Sequence, residues 1–165
     1  MAKESSFDVV STVDIQEVDN AFQQTARELT QRYDLRQSGA SIDFSKKDQS
    51  FTVSAPSEFV AGQVIDVLGS KLVRRQIDLS AIRWDKPQAA AGSSVRQVGR
   101  VVQGIDQDTA KKIAKDIRDL KLKCKATVEG DKLRVSSASR DTLQQVIAAL
   151  KERDYGQPLQ FTNYR

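Results

Sequence analysis

Residues Lys121–Arg140, KLKCKATVEGDKLRVSSASR, decide how the rest of the chain is read. Cys124, Ala126 and Val128 alternate with Lys123, Lys125, Thr127 and Glu129. Past Gly130-Asp131, Leu133 and Val135 alternate with Lys132, Arg134 and Ser136. A period of two with one apolar face predicts two half-buried strands. Gly130 supplies the positive φ that a tight hairpin turn needs. Lys123, Lys125, Lys132 and Arg134 then share the face turned away from the core. Such a face either keeps an open sheet soluble or receives phosphates.

Working outward, the same pattern occurs twice. Upstream, Phe7–Val13 reads as a β-branched strand, and Asp14 with Glu17 opens a helix running to about Tyr33. Strands follow at 40–45 (Ile42 and Phe44 inward) and 51–55 (Phe51 and Val53 inward). Pro56-Ser57 starts a second helix that ends near Arg75, and 81–85 is a strand carrying Trp84. Lys86–Ser94, KPQAAAGSS, has the composition of a linker. Then Val95–Gly104 is a strand, Asp106 caps a helix, the hairpin follows, Ser139 caps another helix, and 158–164 is a last strand. Phe51-Thr-Val-Ser54 matches Leu133-Arg-Val-Ser136 at an offset of 82, as Ser57 matches Ser139. The expectation is an α+β chain built by internal duplication: residues 1–90 and 91–165, each a βαββαβ ferredoxin-like half with an antiparallel sheet and two helices on one face.

Composition narrows the function. No apolar run approaches the roughly 20 residues of a membrane helix. The first residues, MAKESSFDVV, lack the apolar core of a signal peptide. The one cysteine, Cys124, falls in the apolar register and reads as a packing thiol. A cytoplasmic protein is expected. Residues 1–90 hold 11 Lys+Arg and 13 Asp+Glu, and residues 91–165 hold 15 and 9, which makes the second half basic. There is no histidine, hence neither the commonest general base nor the commonest metal ligand. No phosphate-cradling glycine loop is present. Asp14 and Asp106 stand where an acylphosphatase-like loop would hold phosphate. Strand three reads SFTVSA and KLRVSS, without the outward aromatics of an RNA-recognition module. No enzyme, metal or cofactor is expected. Trp84 reads as a core or interface ring.

Many short matches spread along the chain resemble one family. They are Ser6-Phe7-Asp8-Val9-Val10-Ser11, Arg32-Tyr33-Asp34, Gln103-Gly104-Ile105, Ala110-Lys111-Lys112-Ile113, Gly130-Asp131 with Arg134-Val135, Ser139-Arg140-Asp141, and Pro158-Leu159-Gln160-Phe161 with Asn163-Tyr164-Arg165. Together they are similar to the bacterial YajQ family of nucleotide-binding proteins. The resemblance implies tandem ferredoxin-like domains with exchanged first strands: the strand near 6–13 joins the second domain and the strand near 95–104 the first. It also implies non-enzymatic binding of GTP, ATP, cyclic di-GMP or tRNA and other RNA, with a transcription factor as protein partner. Val102 and Ser137-Ala138 stand where the family often carries lysine, and Lys125 is a gain.

The expected ligand-binding residues are Lys123, Lys125, Arg134 and Arg140 for phosphates, with Gln103, Gln160 and Arg165 beside them. Arg140 sits in the first turn of a helix, where a cation opposes the dipole and so suggests another task. The competing expectation is a protein-interaction adaptor or transcription co-regulator whose nucleotide binding is incidental.

Overall fold

Each helix opens on a side chain that the sequence singles out. In the computed structural model, which describes residues 4–165, Asp14 Oδ1 accepts from the Gln16 and Glu17 amides at 3.0 and 3.3 Å and starts α1 (Ile15–Gln31). Ser57 Oγ accepts from the Val60 amide at 3.2 Å and starts α2 (Glu58–Arg74). Asp106 does so for the Thr109 amide at 2.7 Å at the head of α3 (Gln107–Asp119). Ser139 accepts from the Thr142 amide at 3.3 Å at the head of α4 (Arg140–Lys151). Each cap satisfies an amide with no partner inside its helix, worth about 1 kcal/mol.

Nine strands accompany these helices among the described residues: β1 (Ser5–Val10), β2 (Ser41–Ser45), β3 (Ser50–Ala55), β4 (Ile82–Trp84), β5 (Gln88–Ala89), β6 (Val95–Val101), β7 (Lys125–Glu129), β8 (Lys132–Ser137) and β9 (Gln160–Thr162). They form two antiparallel sheets, ordered β7-β8-β1-β9 and β2-β3-β6-β4, with β5 also pairing to β6. The chain divides accordingly into two units. One is Val13–Val102; the other joins the chain up to Thr12 with Gln103–Arg165. Both sheet orders are compatible with a ferredoxin-like arrangement.

In the discontinuous unit, Phe7 and Val9 of β1 lie opposite Val135 and Leu133 of β8, and all four are fully buried. Ile113 and Ile117 of α3, and Val146 and Leu150 of α4, close the core above them. Burying each such side chain contributes roughly 1.5–3 kcal/mol. Cys124 packs half-buried against this cluster, and burial pushes its thiol up. Val128, expected inward, is 37% exposed, near the outer end of the edge strand β7.

In the unit Val13–Val102, Phe51 and Val53 of β3 are fully buried beneath Val18 and Ala21 of α1 and Val64 and Leu68 of α2. Trp84 is half-buried, 6.1 Å from the Phe51 ring, and lies across Gly99, where an added Cβ would meet its ring at 2.6 Å. Residues 86–94, read from composition as a linker, instead form a hairpin inside this unit. Gln88 and Ala89 pair with Arg96 and Val95, and the Ala90 amide donates to the Ser94 carbonyl at 2.8 Å. Their small side chains serve the tight return of the backbone.

This division changes the charge picture. Counted by unit, Val13–Val102 holds 12 Lys+Arg against 11 Asp+Glu, and the other unit 14 against 11. The basic second half was a property of the linear chain. β6 carries Arg96 and Arg100 out of that half, and β1 carries Asp8 in.

Candidate functional site

The expected site residues fall at two ends of the β7-β8-β1-β9 sheet. At one end β7 begins, β8 ends and β1 begins: Lys125 pairs with Ser136, and Ser136 with Ser6. Arg165 joins them there, exchanging backbone hydrogen bonds with Ser6 at 3.2 and 3.0 Å. Lys123 lies just before β7, and Arg140 is the first residue of α4, three residues past β8. Lys123, Lys125, Arg140 and Arg165 are all exposed, and none forms an ion pair among the described residues. From β7 to β9 the set spans three strand spacings, about 14 Å.

Ser137 organises this end. It is 4% exposed; its hydroxyl donates to the Lys123 carbonyl at 2.7 Å and accepts from the Ser139 amide at 3.1 Å. One hydroxyl thus fixes the approach to β7 and the cap of α4 together, and sets the backbones of Lys123 and Arg140 relative to each other. Long cationic side chains on a fixed frame suit phosphate, whose oxygens accept charge-assisted hydrogen bonds.

Arg134 has a different setting. It faces Asp8 across the β8–β1 ladder, its Nε 3.4 Å from Asp8 Oδ1 and its Nη2 3.7 Å from Glu129. Lys132 Nζ lies 3.4 Å from Asp8 Oδ2, and Asn163 Nδ2 donates to that oxygen at 2.9 Å. Asp8 is 2% exposed. Burial by itself would raise its pKa; the hydrogen bonds from Asn163, Arg134 and Lys132 outweigh that and hold the carboxyl below the usual carboxylate range. The expected positive sheet face is therefore neutralised at its centre by a carboxylate that strand β1 brings.

Gln103 and Gln160 lie at the other end of the sheet, about 13 Å along β1. Gln160 Oε1 accepts from the Thr12 amide and hydroxyl at 2.8 and 3.2 Å, and its Nε2 donates to the Thr12 carbonyl at 3.2 Å. Gln103 precedes Gly104, whose amide donates to the Ser11 carbonyl at 2.7 Å. These residues tie down the exit of β1, away from the four exposed cations.

Comparison with known proteins identifies the family. The family profile described as "Nucleotide-binding protein YajQ-like" matches residues 5–165. The chain belongs to this YajQ-like family. Its relatives include a protein from Chloroherpeton thalassium, 46% identical over 165 residues and covering all of both chains. Another, from Desulforamulus reducens, is 50% identical over 165 residues, covering all of this chain and 99% of its own. A third, from Nocardia farcinica, is 50% identical over 163 residues, covering 98% and 99%. Each bears the name "Nucleotide-binding protein".

Within this YajQ-like chain, the reading of the hairpin missed Asp8, Ser137 and Asn163. A polar residue between Phe7 and Val9 is the normal outward position of an alternating strand, so Asp8 carries no local signal. Its role appears only once β1 is placed beside β8. Ser137 was legible in principle. Its register places it inward after Leu133 and Val135, where a hydroxyl must find a partner.

Proposed function

We propose that this chain is a non-enzymatic nucleotide-binding protein that holds its ligand by the phosphates, through Lys123, Lys125, Arg140 and Arg165. One observation carries the reading. These four cations gather unneutralised around one sheet end, while Lys132 and Arg134 are already held by Asp8. Arg140 in the first turn of α4 loses energy against the helix dipole, and an anion beside it offsets that cost. A ligand with more than one phosphate matches the spread of the cations: GTP, ATP, cyclic di-GMP or a short RNA segment. We also read the fold as two ferredoxin-like copies that have traded first strands. In support, β3 and α2 begin 82 residues before β8 and α4, and each central strand arrives from the opposite half of the chain.

Isothermal titration with cyclic di-GMP, GTP, ATP and a tRNA pool at two salt concentrations tests this function. A saturable response to at least one is expected. The Lys125→Ala/Arg140→Ala variant should weaken it about tenfold or more, with an unchanged Tm. Full affinity in that variant would remove the site. Silence from all four ligands, with a protein partner held equally well with and without nucleotide, would establish the adaptor reading instead.

A further inference from the structure

Helix α2 and the edge strand β4 leave an apolar groove open in the unit Val13–Val102. Leu68, Leu72 and Ile82, nearly all buried, floor a hollow of about 680 Å3, and Ile65 and Trp84 line its walls. Val73 and Leu79 line this hollow and also a second one of about 460 Å3, and so form the ridge between the two. They are 56% and 57% exposed, two large apolar side chains left in water. Gly69 seats the ridge against α2: a Cβ there would lie 3.2 Å from Leu79 Cδ2.

The other unit closes the corresponding gap with its own residues. Its edge strand there is β9, where Phe161 packs partly buried against the core. Lys151, the last residue of α4, reaches across with its Nζ 6.0 Å from the centre of the Phe161 ring. Gly69 stands 82 residues before Lys151. A glycine has no side chain to lay over the strand, so the groove beside α2 stays open.

What covers it follows from the surface's match to itself. A small ligand would fill the hollow and leave the ridge wet. A second copy covers both, because a two-fold contact brings the ridge of each chain to the hollow of the other. The charges obey the same symmetry. Asp66 and Arg74 lie on the rim of the hollow, both exposed, and neither forms an ion pair among the described residues. Arg74 adds only its field at Glu28, which Lys71 already holds at 2.8 Å. Asp66 and Arg74 flank Ser70, one helical turn to either side and about 12 Å apart along α2. Two copies of α2 crossing antiparallel about an axis near Ser70 bring each Asp66 to the other copy's Arg74, so the ion pair forms twice.

We propose that this groove is a homodimer interface, in which α2 packs antiparallel on α2 of a second copy and the ridge of each chain seats in the hollow of the other. None of these residues belongs to the nucleotide site above, and the interface does not depend on it.

The test is sedimentation equilibrium of the full chain between about 1 μM and 1 mM, the range in which a moderate interface titrates. The mass should rise from that of one chain toward that of two, and Trp84 emission should move to the blue over the same range as water leaves the groove. Leu79→Lys puts a charge on the ridge and should weaken association at least tenfold, about the effect of losing an apolar anchor. If that variant melts early, Val73→Lys takes its place. The charge exchange is the sharper arm. Asp66→Arg and Arg74→Asp each create two like-charge contacts in a two-fold dimer, and each alone should lose about tenfold in affinity. Mixed together, the two variants regain both ion pairs and should associate as strongly as wild type. The double variant Asp66→Arg/Arg74→Asp should do so by itself. A mass of one chain throughout, association unchanged by the ridge variant that folds, or a mixture no stronger than its components would each overturn the proposal. In the first case, uptake of anilinonaphthalene sulfonate that Leu79→Lys abolishes would assign the hollow to a small apolar ligand instead.

Discussion

Asp8→Asn removes the charge at the centre of the β7-β8-β1-β9 sheet while keeping its shape. The carboxylate accepts from Asn163 at 2.9 Å, a charge-assisted bond worth roughly 1.5–3 kcal/mol. It also holds Lys132 and Arg134 at 3.4 Å each. A fully buried pair would lose about 3–5 kcal/mol on removal of one partner. Those cations are 36% and 32% exposed, so water screens them and each contributes roughly 0.5–1 kcal/mol. The amide oxygen of Asn keeps part of this, leaving an expected loss of about 2 kcal/mol at pH 7, or roughly 8–16 °C in the melting of this unit.

The pH dependence is the sharper check. A carboxyl whose folded pKa is depressed contributes stability that is complete above its unfolded pKa, near 3.9, and is lost as pH falls through the folded value. The gap between wild type and Asp8→Asn should thus be full at pH 6 and narrow as pH falls below the unfolded value. Urea unfolding followed by far-ultraviolet circular dichroism at several pH values measures it. The single tryptophan, Trp84, lies in the other unit and serves as an internal reference. A gap that persists unchanged at pH 2, or stability at pH 7 equal to wild type, would refute the reasoning.

Two further outcomes follow from close contacts. Gly99→Ala drives a Cβ to 2.6 Å from the Trp84 ring, so the indole must move. A destabilisation of about 1–3 kcal/mol and a shift in tryptophan emission are expected. Ser137→Ala unties Lys123 from the α4 cap, and should cost about 1–2 kcal/mol. If the proposed nucleotide site is right, it also weakens nucleotide binding more than the equivalent loss of stability elsewhere, as paired titration and melting curves would reveal.

Where the governing physics is local, the sequence spoke clearly. The alternation of Leu133 and Val135, the inward pair Phe51 and Val53, and caps at Asp14, Ser57, Asp106 and Ser139 rest on chemistry within a few residues. The exposure of Lys123 and Lys125 followed from the same alternation. Charge partnership did not, since Arg134 meets Asp8 across 126 positions of chain. Composition likewise misread 86–94, where small residues signal a flexible tether and a tight hairpin alike.

The discontinuous unit has a consequence for synthesis. As the chain leaves the ribosome, Val13–Val102 has all its strands once its own last residue is made. β1, though made before β2–β9, must wait for a neighbour. About 120 residues separate Val10 from the start of β8 at Lys132, roughly 6–25 s at ordinary elongation rates. During that interval Phe7 and Val9 have no sheet to enter, and β1, translated ahead of β2–β9, is among the last of these strands to be locked in place.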